Sequence, residues 1–144
     1  MKARAPSRFN VQRPGRTLQA AACLLVLGAV SSCAVDVTSA VSAAQDFHRA
    51  VGASDWSTAC SLLQPETREK TAEQDGGSCE AGLESLQLPE AGTLLKTEAY
   101  GREALVEFDG DVVFVAVSGS GWQITAAGCR PRGDSPYSCK VGGK

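Results

Sequence analysis

One cysteine stands where chemistry on its thiol is easiest to foresee. Cys33 closes the run Val30-Ser31-Ser32-Cys33: an aliphatic residue, two small residues, then the thiol. That order suits transfer of a diacylglyceryl group to sulfur, followed by cleavage just before it. Ser31 and Ser32 are small enough for a narrow peptidase cleft, and Val30 fills an apolar subsite. Upstream lie Lys2, Arg4, Arg8, Arg13 and Arg16 with no acidic residue, then an apolar run from Leu18 to Val30. Basic region, apolar region and small-residue cleavage site form the order of a secretory signal. The run is shorter than the roughly 20 apolar residues of a spanning helix. The expectation is a lipoprotein signal peptide over 1–32. Cys33 would carry the lipid, with palmitate a representative acyl chain. The competing reading is an ordinary secretory leader cut near Ala29, with Cys33 incidental.

Four cysteines besides Cys33 survive such cleavage: Cys60, Cys79, Cys129 and Cys139. An even set in an exported chain reads as disulfides. Three connectivities exist, and the sequence-local pairs Cys60–Cys79 and Cys129–Cys139 are expected. Loop entropy gives each about 3 kcal/mol. No C-x-x-C pair occurs and His48 is distant in sequence from all four, so no metal site and no cofactor is expected.

His48 is the only histidine, and a nucleophile–base–acid set would have to use it. It sits beside Phe47 and Arg49 with no serine motif near, and reads as a surface or half-buried residue. A carboxylate–tyrosine acid–base site would need Tyr100 to face inward. Asp109 and Asp111 flank a hairpin turn and are expected in solvent. No catalytic residue is therefore assigned. Trp56, Tyr100, Phe108, Phe114 and Trp122 are candidates for lining an apolar cavity, with plain core packing the alternative. Arg132-Gly133-Asp134 lies between the last two cysteines and has the form of an adhesion tripeptide. Gly133-Asp134-Ser135-Pro136 is also ordinary turn chemistry.

The elements that would hold these residues follow from periodicity. Thr38 or Ser39 can cap a helix carrying Val41, Ala44, Phe47 (or His48) and Val51 at helical spacing, ended by Gly52. Asp55 can cap a second helix with Trp56, Ala59, Cys60 and Leu63 inward. Pro65 can open a third, polar one as its first residue. Asp75 to Ser78 is a loop, and Cys79 to Leu86 a short fourth helix. From Thr93 the period is two. Thr93–Tyr100 is a weak first strand, and Ala104, Val106 and Phe108 share one face of the next. Asp109-Gly110 signals a hairpin. Val112–Val117 is apolar on both faces, as in a strand covered on both sides, and Trp122, Ile124 and Ala126 alternate after Ser118–Gly121. The tail from Gly128 reads as an exposed loop tied by its disulfide, too short for a strand hairpin. Helices first and an antiparallel meander second make the class α+β, with 33–37 a short membrane-proximal tether and 38–144 a single domain.

Charge narrows the partners. All five leader charges are basic, which leaves nine Lys and Arg against 16 Asp and Glu in the remainder. A net acidic domain without a basic run argues against nucleic acid as a partner, since such binding rests on phosphate neutralisation. It also disfavours lying flat on anionic lipid, so contact with the membrane falls to the lipid anchor. The expected place is the outer face of the cell membrane. A protein partner or a small apolar ligand fits that setting better than turnover.

Several stretches together carry a resemblance. They are the lipobox at Val30–Cys33; Ala53-Ser54-Asp55-Trp56 with Ala59-Cys60-Ser61-Leu62-Leu63 and Pro65; Gly121-Trp122-Gln123-Ile124-Thr125-Ala126-Ala127-Gly128-Cys129; and Pro136-Tyr137-Ser138-Cys139. The chain resembles small uncharacterised secreted lipoproteins of actinobacteria. Their folded part is similar to the nuclear-transport-factor-two-like cone shared with ketosteroid isomerase. The resemblance implies a curved antiparallel sheet closed at one end by helices, with a pocket between. It implies no particular activity, because that cone serves both enzymes and binding modules.

Overall fold

A computed structural model of the chain describes residues 37–74, 77–119 and 121–142. The signal peptide expected over 1–32, the lipidation site expected at Cys33 and all but the end of the tether expected at 33–37 lie outside the described residues; Val37 already belongs to the first helix. Residues 34–144 form one compact unit.

Helix α1 (Val37–Gly52) presents Ala40, Ala43, Ala44, Phe47, His48 and Ala50 inward. Most of these are alanines, so the helix axis can approach the sheet closely. Ser54 turns the chain at φ 55°. Asp55 then caps α2 (Trp56–Leu62) by accepting the Thr58 N–H at 3.1 Å. Pro65 opens α3 (Pro65–Gln74), where its missing N–H costs nothing. That helix buries only Thr67 and Thr71. The Thr67 hydroxyl donates to the Thr125 carbonyl at 3.1 Å, and the Thr71 hydroxyl donates to Thr67 O at 2.8 Å. Ser78 caps α4 (Cys79–Ser85), a role the sequence reading gave to no residue. Helices α3 and α4 touch at Gly82, where a Cβ would lie 2.1 Å from the Thr71 carbonyl oxygen.

Five antiparallel strands follow in the order β1-β2-β3-β4-β5: β1 (Leu94–Tyr100), β2 (Glu103–Phe108), β3 (Val112–Ser118), β4 (Gly121–Arg132) and β5 (Ser135–Ser138). The class is α+β. The helices cover one sheet face, where Phe47, Leu63, Leu83, Val106, Val113, Val115 and Ile124 are wholly buried. Leu105, Val112 and Cys129 form a smaller cluster, flanked by Phe114, Ala126 and Cys139. Strand β3 is thus buried on both faces, as its continuous apolar run required.

The tail departs from expectation. It is a hairpin, not a loop: Arg130 pairs with Ser138 and Arg132 with Ser135. Gly133, at φ +60°, supplies the turn. Val141 then bridges Ala127 through two backbone hydrogen bonds of 3.0 and 3.2 Å and is itself wholly buried. The Lys140 ammonium donates to Leu86 O at 3.0 Å and Gln87 O at 2.7 Å. It thereby satisfies carbonyls that α4 leaves open at its C-terminus. Both disulfides, Cys60–Cys79 and Cys129–Cys139, take the sequence-local pairing.

Candidate functional site

Strand β4 carries two irregularities against β3, one between Val112 and Phe114 and one between Phe114 and Val115. A bulge frees backbone N–H groups from the ladder, and a buried free N–H must find an acceptor. Asp111 supplies it. Its Oδ1 accepts the Cys129 N–H at 2.9 Å and its Oδ2 the Gly128 N–H at 3.1 Å. Asp111 is only 4% exposed, which corrects the expectation of a solvated turn residue. Asp109 is the exposed member of the pair and caps the turn by accepting the Thr93 N–H at 2.8 Å.

The histidine expected at the surface or half-buried belongs to the same cluster. His48 is buried, at 9% exposure, with Nε2 3.0 Å from Asp111 Oδ2. The two meet the distance of an ion pair without the alignment of a hydrogen bond. The imidazole is wedged edge-on against Phe47 at 5.7 Å and Phe108 at 5.4 Å between ring centroids. One carboxylate therefore joins α1, the β2–β3 turn and the β4 bulge. Two sequence features pointed there. His48 falls in phase with Ala44 on the helix stripe, and Asp111 heads a strand that is otherwise wholly apolar.

His48 also borders a cleft of about 500 Å³ between the C-terminal half of α1, Trp56, and the segment from Glu84 to Ala91. Val51, Trp56, Leu88 and Pro89 give it apolar walls; Arg49, Glu84, Gln87 and Glu90 give it polar ones. A second hollow of about 450 Å³ lies at the other end of α1, between Ser39, Ser42 and Asp46 on one side and Leu62, Val117 and Trp122 on the other.

The five aromatic candidates do not share a cavity. Trp56 and Trp122 border different hollows. Phe108 is core at 4% exposure. Phe114 packs edge-on against Tyr137 at 5.2 Å, beside the cluster that holds Leu105 and Val112. Tyr100 is 61% exposed and donates to Glu98 at 2.7 Å, so it does not face inward. That hydrogen bond raises the Tyr100 hydroxyl above its ordinary pKa, and Lys96 and then Tyr100 lower Glu98. Arg132, Gly133 and Asp134 are exposed at the hairpin tip. Among the described residues no group of three His, Cys, Asp or Glu could hold a metal ion, and no helix is long and apolar enough to cross a membrane.

The chain matches no protein-family model, no curated protein and no solved structure.

Proposed function

We propose that the protein is an extracytoplasmic lipoprotein, held at the membrane through Cys33, whose domain binds a small, partly apolar ligand without turning it over. The cleft beside Trp56 carries the reading. Its volume of about 500 Å³ lies within the ordinary range for small-molecule sites, roughly 300–1,000 Å³. An indole and aliphatic walls supply contact area, and a few charged groups can orient what enters. An antiparallel meander covered by helices on one face is compatible with the cone that the sequence resembles. Screening the purified protein against small apolar compounds by ligand-detected NMR should yield binders that Trp56→Ala weakens at least about tenfold. Binders indifferent to that substitution would move the site elsewhere.

One observation favours a second reading, an enzyme. A histidine braced by a buried carboxylate on the wall of a cleft is the arrangement of a general base and its orienting partner. A turnover activity found by substrate screening and abolished by His48→Gln would establish it. Adhesion is the minor reading, supported by the exposure of Arg132 and Asp134. Cells bearing Arg-Gly-Asp receptors should then attach to the immobilised protein and fail to attach to Asp134→Glu.

A further inference from the structure

Strand β1 ends the sheet. It pairs with β2 on one side, and no described strand pairs with its other edge. That edge carries apolar surface: Leu94 is 39% exposed, Leu95 59% and Tyr100 61%. An edge strand of this kind is a template for another strand. Edges are usually protected by charge, and β1 has charge of a particular pattern. Lys96 and Glu98 lie two apart, on the same face, with Nζ and Oε1 at 2.7 Å. The strand is therefore locally neutral, and its charges have opposite sign on either side of Thr97.

We infer that β1 is the docking edge for a second copy of this chain, paired antiparallel about a two-fold axis at Thr97. In that register Lys96 of each copy faces Glu98 of the other on either side of the Thr97 pair, all within the regular part of the strand. Directly opposed unlike charges stabilise an antiparallel pair, and like charges oppose it. Centring the axis on Glu98 or on Lys96 would set a like pair face to face, so the charges select one register among these. Opposed residues then share a face. Both helical layers fall on the same side of a joined ten-stranded sheet, with no clash across the axis required by the pairing itself. The exchange is inexpensive: the Lys96–Glu98 pair within one chain is solvent-exposed on both sides, so it is weak and readily traded for a cross-chain pair. The register shift between Leu94 and Lys96 limits regular pairing to the residues after it, so the association is weak and concentration-dependent.

The test places one thiol on the axis. In the full-length protein, Thr97→Cys puts two sulfurs opposite each other at a Cα separation of about 4.5–5.5 Å, within disulfide reach. Mild oxidation should give a covalent dimer whose linking peptide contains residue 97 twice. Ala99→Cys serves as control, since its copies would stand about 14 Å apart at 3.4 Å per residue. Adding Lys96→Glu should cut the Thr97→Cys dimer yield at least fivefold, and adding Lys96→Glu with Glu98→Lys should restore it. Circular dichroism of each variant confirms that the fold persists. Absence of the Thr97 crosslink in folded protein, equal crosslinking at position 99, or yields indifferent to the charge reversals would each overturn the pairing.

Discussion

Asp111 is where the largest single-residue effects should appear. Its carboxylate holds two buried backbone N–H groups and faces His48. Removing one side of such a cluster leaves the others unpaired in a poorly solvated site. Asp111→Ala should destabilise the protein by about 3 kcal/mol in urea unfolding, and Asp111→Asn by less, because one carbonyl acceptor remains. A loss under about 0.5 kcal/mol for Asp111→Ala would remove the carboxylate from its bridging role. The sequence read Asp111 as a turn residue for a physical reason. Asp-Gly-Asp specifies local backbone shape, whereas burial here depends on a bulge 17 residues away and on a helix packed over the turn. His48 was obscured in the same way: its helical phase was visible, its partner was not.

Most helix ends were legible because local chemistry sets them; the exception is the start of α1, which already includes Thr38 and Ser39, the residues expected to cap it. The Asp55 cap, Pro65 at a first position and Gly52 at an end all act through neighbouring backbone groups. Asp55 illustrates the consequence for pH. Hydrogen bonds from Thr58 lower its pKa below the ordinary 3.8. Its contribution is present above that value and is lost as the pH falls through the depressed one. Acid unfolding of Asp55→Asn should therefore lose part of the wild-type pH dependence below about pH 4 and match it at neutral pH in slope. Contacts between elements were not legible. Nothing in the spacing of the fourth helix singles out Gly82, yet its missing side chain admits the Thr71 carbonyl. Gly82→Ala should cost about 1–3 kcal/mol, the range for forced overpacking, despite improving helix propensity. A stabilised variant would show that α3 shifts freely away from α4. The tail hairpin escaped the sequence because strand pairing there depends on Gly133 and on how far β4 continues past its bulges.

For the whole molecule, the two disulfides divide the work of restraint. Cys60–Cys79 ties α2 to the start of α4, and Cys129–Cys139 closes the terminal hairpin. Replacing Cys60 and Cys79 together by alanine should lower stability by about 3 kcal/mol on loop entropy. Non-reducing peptide mapping of the native protein should recover both local pairs, and a Cys60–Cys129 peptide would contradict them. Attachment is tested separately. Cells fed a labelled fatty acid should label the protein, and Cys33→Ala should abolish the label.

Val141 and Lys140 give the chain a direction in time. The first is wholly buried against β4, and the second caps α4 from more than 50 positions away in sequence. A nascent chain still lacking residues 140 and 141 has an open seam over Ala127 and an uncapped helix, however much of it has emerged. Closure thus waits until residues 140 and 141 have been made. A chain stalled after Cys139 should be cut by protease at the α4–β1 connection, and adding back a few residues should protect it. Until Lys140 and Val141 are in place, the domain should stay more pliable than the finished fold.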